Sequence, residues 1–205
     1  LGCSDTGDDA AEADPSVSAA TAATPTEGEL LTSLLTPADV GPEFGGPPPA
    51  VAGTEAAEAG VSDEPLCGVD DDLDELAQVS VGPMTDPDAT QVYERLTVAD
   101  GITEAEDFLT TVRERADARC RFDETVEATT YTVTVRGAVE LDGVGDDAVA
   151  IDQAYTGGYT GFRWDMTARR GRLLVNVQYT STDPVERDRA VELLQLAVDK
   201  ASVLS

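Results

Sequence analysis

Few residues in this chain have the types and spacing that catalysis needs. Asp146 and Asp147 are adjacent carboxylates, the residue type a hydrolase would use in pairs. Neighbours along a strand point to opposite faces, however, so these two cannot converge on one substrate. The densest acidic run is Asp70-Asp71-Asp72-Leu73-Asp74-Glu75. A calcium loop alternates its acidic ligands about a turn glycine and closes with a distant bidentate glutamate. The contiguous carboxylates here read instead as a solvated helix start, where negative charge meets the positive end of the helix dipole. No histidine is present, which removes His-based triads, most zinc sites and His-based pH switching. A cysteine nucleophile generally needs a base beside it, and no imidazole exists to serve. We therefore expect no catalytic residue, no metal site and no cofactor.

Residues that could bind are better represented. Tyr155 and Tyr159 flank Gly157-Gly158, with Phe162 and Trp164 following. Aromatic rings offer contact area and glycines let a ligand approach the backbone; the competing role for the same rings is cross-strand packing. Arg163, Arg169, Arg170 and Arg172 gather positive charge in an acidic chain. They could hold an anion, or keep a hairpin tip soluble. Tyr155, Tyr159, Trp164, Arg169 and Arg170 are the candidate ligand-binding residues.

The elements that must position them are strands. From Tyr131 the residues Tyr131, Val133, Val135, Val139 and Leu141 take one side and Thr132, Thr134, Arg136, Ala138 and Glu140 the other. Gly143 to Asp147 reads as a turn. Ala148–Tyr155 follows, with Val149, Ile151 and Tyr155 on one face. Phe162, Trp164 and Met166 share a face of the next strand, and Leu173, Val175, Val177 and Tyr179 of the one after it, with Asn176, Gln178 and Thr180 facing away. Short turns and one polar face per strand argue for antiparallel hairpins. Val92, Leu96 and Val98 mark a further strand over Gln91–Val98, while Val81–Asp88 reads as a turn region.

Two helices frame the strands. Thr103-Glu104-Ala105-Glu106 has the form of a capping box before Ala105, Phe108, Leu109, Val112 and Ala116. Asp183-Pro184-Val185-Glu186 precedes the stripe Ala190, Val191, Leu194, Ala197, Val198 and Ala201. Thr36-Pro37-Ala38-Asp39 supplies an N-cap with proline at the first helical position, after the helically spaced Leu30, Leu31, Leu34 and Leu35. The expectation is an α+β fold, an antiparallel sheet of about five or six strands with helices packed against it.

At 205 residues, 41% of them hydrophobic, the chain can fill one core. Acidic residues number 41 against 13 basic, for a net charge of -28, and none of the basic residues precedes Arg95. That field disfavours nucleic acid and anionic headgroups as partners. Leu1-Gly2-Cys3-Ser4 looks like the tail of a bacterial lipobox, whose cysteine is lipidated at the mature N-terminus after a signal peptide is removed. Residues 1–28, poor in large apolar side chains, read as a disordered tether, and residues 29–205 as a single envelope domain. If Cys3 carries lipid, Cys67 and Cys120 remain, and an exported protein would pair them.

The order of features resembles actinobacterial cell-envelope lipoproteins and the extracytoplasmic sensor domains of mycobacterial receptor serine/threonine kinases. The resemblance rests on Leu34-Leu35-Thr36-Pro37-Ala38-Asp39 after a tether, a cysteine on each side of the first strand–helix unit, Gly143-Val144-Gly145-Asp146-Asp147-Ala148, and Arg169-Arg170-Gly171-Arg172-Leu173-Leu174-Val175. It implies an antiparallel sheet packed with helices, and a groove for an envelope ligand. This sequence carries one expected disulfide, and neither a kinase domain nor a transmembrane helix. The reading is a lipid-anchored, non-catalytic, sensor-like binding domain at the outer face of the cytoplasmic membrane. Its partners would be the membrane, through the N-terminal lipid, and an envelope ligand or protein. The alternatives are a lipid or glycolipid carrier with an internal apolar cavity, a carboxylate hydrolase, and a structural accessory of a membrane complex.

Overall fold

The computed structural model describes residues 23–51, 73, 75–126, 129–158, 160–184 and 187–204. Cys3, Cys67, the acidic run at 70–72 and 74, Tyr159 and the expected cap at 185–186 lie outside the described residues.

The chain opens with two short helices, α1 (Glu27–Ser33) and α2 (Pro37–Val40). Both begin with reciprocal caps: Glu29 accepts from the Thr26 amide and hydroxyl at 2.8 Å each, and Asp39 from those of Thr36 at 2.7 Å each. These bonds tie down chain ends whose donors have no intrahelical partner. Strands β1 (Ala50–Val51), β2 (Glu75–Thr85) and β3 (Gln91–Ala99) follow, then helix α3 (Ile102–Asp117). The chain continues through β4 (Arg121–Val126), β5 (Thr129–Glu140), β6 (Asp147–Gly157), β7 (Gly161–Arg170) and β8 (Leu173–Ser181) to helix α4 (Arg187–Ala201) and a 3-10 turn, Ser202–Leu204.

All eight strands form one antiparallel sheet in the order β1-β2-β3-β8-β7-β6-β5-β4. The expected five or six strands are thus too few. The strands with clean alternation, β3 and β5 to β8, stand close to where the sequence puts them. The three additional strands have identifiable disguises. β2 contains Gly82-Pro83, which reads as a strand-breaking turn; the structure accommodates the pair in a register shift between Val81 and Met84. Gly82 has φ +123°, and a Cβ there would stand 2.8 Å from the Val92 carbonyl oxygen, so only glycine fits. β4 is a polar edge strand without a hydrophobic alternation, and β1 is two residues within a Gly- and Pro-rich stretch. Glu75, expected in a helix start, instead opens β2.

Both faces are covered, by different helices. The stripe of α4, with Leu193, Leu194, Ala197 and Val198, packs together with Leu30, Leu34, Leu35 and Val40 on Val79, Leu96, Met166, Val175 and Val177. On the opposite face α3 places Ala105, Leu109, Val112 and Ala116 over Val135, Val149, Ile151 and Leu174. The switch of sides is visible in β5, where a bulge between Val135 and Gly137 reverses the alternation. Val135 and Ala138 therefore face α3, whereas Leu141 joins the α4 core; the uninterrupted alternation expected from Tyr131 to Leu141 does not hold. The α3 helix starts at Ile102 with Gly101 as its N-cap and no side-chain cap. Thr103 is already inside the helix, so the expected capping box is not formed.

Candidate functional site

Antiparallel pairing puts cross-strand partners on the same face of a sheet, and the register groups the polar side chains. One row runs Arg95, Asn176, Thr167, Val149; the next Tyr93, Gln178, Asp165, Ile151; the third Gln91, Thr180, Arg163, Gln153. Their apolar members, Val149 and Ile151, are those that lie under α3. The rest form a polar field over β3, β8 and β7, with Gln153 and Tyr155 of β6 at its border. Each of these strands turns its apolar side the other way, onto α4 and α1, which is why the field can be polar without emptying the core.

The field is hydrogen-bonded across strands. Asn176 Nδ2 donates to Asp165 Oδ1 at 2.7 Å, to Thr167 Oγ1 at 3.0 Å and to the Met166 carbonyl at 3.2 Å. Gln178 Nε2 donates to Asp165 Oδ2 at 3.4 Å. Arg163 Nε donates to Thr180 Oγ1 at 3.2 Å, and its guanidinium stacks 4.6 Å from the centre of the Tyr155 ring. Tyr155 donates to Gln153 Oε1 at 3.1 Å. Several members are deeply set: Gln153, Thr167, Thr180 and Tyr93 are all buried. Such a carpet of amides, hydroxyls and guanidinium groups is equipped to recognise a polar ligand by hydrogen bonding. Its one carboxylate among the described residues, Asp165, accepts from two side-chain amides.

The five candidates from the sequence separate. Tyr155 stands at the border of the polar field, buried beneath Arg163. Trp164 lies on the opposite face, in the row Val92, Tyr179, Trp164, Asp152, and packs against the α4 core. Arg169 joins two turns to a helix: it meets Glu106 of α3 at 3.2 Å and Asp146 at 3.7 Å, and donates to the Gly171 carbonyl at 3.1 Å. Arg170 pairs with Leu173 on the α4 side of the sheet. Tyr159 is outside the described residues. Thus the rings of Tyr155 and Trp164 do not line one groove, and the arginines do not form one patch. The adjacent aspartates are structural: Asp146 Oδ2 accepts from the Gly171 amide at 2.7 Å, and Asp147 binds Arg113.

Tyr93 and Arg95 are, with Asp165, Asn176 and Gln178, site residues that sequence reasoning passed over. The strand of Tyr93 and Arg95 was recognised, but a polar residue opposite Val92 and Leu96 reads as solvent-facing. The signal that singles them out is non-local, the alignment of β3 beside β8. Cys120, just past α3 and half-buried against the α3 core, is disulfide-bonded; Cys67, its expected partner, is outside the described residues. Among the described residues no group of His, Cys, Asp and Glu side chains could hold a metal ion, and no helix is long and apolar enough to cross a membrane.

The architecture defined by these elements is a single antiparallel sheet with helices on both faces. It is shared with a solved structure, the extracellular domain of PknH from Mycobacterium tuberculosis, at a TM-score of 0.68 and 13% sequence identity. The match covers 88% of this chain and 98% of that one. No protein-family model matches the chain, and no curated protein matches it in sequence.

Proposed function

We propose that this chain is an extracytoplasmic, non-catalytic binding domain of the sensor type, which takes a polar envelope ligand on the polar face of β3, β8 and β7. The observation that carries this reading is the polar field itself, a deep, cross-linked surface beside the helix-covered part of the sheet. The likeness in fold to the extracellular domain of PknH supports the extracytoplasmic location. The cysteine bonding supports it too, since disulfides persist in oxidising compartments. Lipidation of Cys3 would hold the domain at the outer face of the cytoplasmic membrane, with residues 1–28 as the tether and Cys67 as the disulfide partner of Cys120. The direct packing of α4 on the sheet, through Leu193, Leu194 and Met166, favours surface binding over the carrier reading, which needs an apolar cavity there.

The test is native mass spectrometry of the full chain, exported from a bacterial host, with extracted envelope material added. A retained polar adduct that is lost in the double variant Asn176→Ala/Gln178→Ala is the expected result. An adduct of purely hydrocarbon lipid, indifferent to those substitutions, would replace this reading with the carrier.

A further inference from the structure

Two donors on the polar face have no acceptor. Tyr93 is only 6% exposed, and its hydroxyl is buried without a hydrogen-bond partner. Arg95, two residues along β3 and therefore on the same side, has its Nε buried in the same condition. The Arg95 guanidinium lies 5.8 Å from the centre of the Tyr93 ring, close enough to be oriented by the ring without being neutralised. Their neighbours are differently placed: Asn176, Gln178 and Asp165 bond one another, and Arg163 has Thr180 and Tyr155.

The missing acceptor is conspicuous because acceptors are plentiful. The chain has 41 acidic residues, and its other half-buried arginines include Arg113, bound to Glu140 and Asp147, and Arg169, whose Nε is likewise unpartnered but whose terminal nitrogens meet Glu106 and Asp146. Among the described residues no carboxylate pairs with Arg95. A buried donor without a partner is destabilising, and one on a charged group more so. Groups of this kind persist where a ligand completes them. Because one donor belongs to a guanidinium and the other is a hydroxyl, what completes both is an oxygen acceptor, and the uncompensated positive charge calls for a negative one.

Resting on the binding role proposed above, we infer that Tyr93 and Arg95 form an oxyanion site, which receives a carboxylate or phosphate group of the ligand. The hydroxyl and the guanidinium would each donate to the incoming oxygens, with Gln178 and Asn176 available to the ligand's neutral polar groups. The net charge of -28 repels an anion at long range, so recognition must come from these contacts and not from steering.

The experiment is proton–nitrogen NMR on the full chain, following the Arg95 Nε–H signal during titration with acetate, with inorganic phosphate, and with chloride at matched ionic strength. A saturable shift with acetate or phosphate and none with chloride is expected; followed on the Gln178 side-chain amide, binding should be at least tenfold weaker in Arg95→Met and several-fold weaker in Tyr93→Phe. Which of the two anions binds tighter assigns the ligand group. Thermal melts of both variants should lie at or above wild type, because each removes an unsatisfied donor; a marked loss of stability would mean that these side chains are structural and would overturn the inference. So would an Arg95 signal indifferent to both oxyanions, or one that moves equally with chloride. If oxyanions fail while envelope extract shifts the Asn176 and Gln178 side-chain amides, the oxyanion site is wrong and the binding face stands. If neither moves any of these signals, both readings fall.

Discussion

Glu94 reaches across 59 positions of sequence to Leu35: its Oε2 accepts the Leu35 amide at 2.5 Å. The carboxylate is fully buried, in a row with Val81, Val177, Met166 and Ala150, and its Oε1 has no partner. Lys200 of α4 closes the same joint from the other side, donating to the Leu34 carbonyl at 2.7 Å and to Asp39 at 2.8 Å. The link between α1 and α2 is therefore held by a glutamate from the sheet and a lysine from the last helix. Burial pushes the Glu94 carboxyl up from 4.5 to about 8, against the opposing pull of the Leu35 amide and Lys200. Asp39, also near it, adds to the rise.

The sign of the resulting pH dependence is unusual for an acidic residue. Folded Glu94 keeps its proton between its ordinary pKa and about 8, where the unfolded chain has lost it, so its contribution is full below pH 4.5 and declines until about pH 8. The expected slope from this group is about 1.4 kcal/mol per pH unit. Glu94→Gln keeps an amide oxygen to accept Leu35 and cannot ionise. Denaturant unfolding across this range should give a flatter curve for the variant, and parallel curves would refute the assignment.

Arg113 is the ion-pair counterpart of that joint on the α3 side. It holds Glu140 through two bonds of 2.9 Å and Asp147 through bonds of 2.5 and 3.1 Å, pinning α3 to β5 and β6. These bonds raise the Arg113 pKa, Glu140 contributing most, and the Arg113 bond holds Asp147 below its usual value. Since the arginine side chain is 24% exposed and Glu140 61%, solvent screening limits the gain. Arg113→Ala should cost about 1 kcal/mol, measured by urea unfolding at pH 7. The Asp147 part is present above pH 3.8 and lost as pH falls through the lower folded value, so the wild-type advantage should shrink in strong acid.

Cys120→Ser should lower stability by roughly 4 kcal/mol if the partner is Cys67, from the closed-loop length in the chain-entropy model. Peptide mapping under non-reducing conditions identifies the partner. A Cys120 peptide linked to any other cysteine would overturn the pairing.

Gly145→Ala tests the junction of the two turns. Gly145 has φ +63°, and a Cβ would lie 2.5 Å from the Arg169 carbonyl oxygen, the same oxygen that accepts the Asp146 amide at 2.8 Å. Both the left-handed backbone and the close approach oppose a side chain, for a cost of about 1–3 kcal/mol. A thermal melt within error of wild type would show that the turns can separate freely.

Alternation and helical spacing are local, and the elements they govern were legible: β3, β5 to β8, α3 and α4. What escaped was decided across strands. Pro83 hides β2 behind a turn signature, and the bulge before Gly137 exchanges the faces of β5 midway. Asn176, Gln178 and Thr180 were recognised as opposite the apolar side of β8, but their company was not, because Arg95, Tyr93, Asp165 and Arg163 come from strands whose register no short window contains. Glu94 did leave a trace. It occupies the inward parity of Val92, Leu96 and Val98, and a carboxylate in that position marks a buried polar joint.

The sheet order has a consequence for how the protein is made. β8 lies between β3 and β7, so residues 75–99 and 121–170 can each form hairpins early but cannot join until residues 173–181 are available. The pairing of β3 with β8 joins residues far apart in the chain, from Val98 with Leu173 to Gln91 with Thr180, which is a slow class of contact to form. During synthesis or export the two half-sheets would wait with unpaired edges facing outward, exposed to association with other chains. A chain truncated before β8 should therefore be lost as aggregate, with no half-size domain to recover.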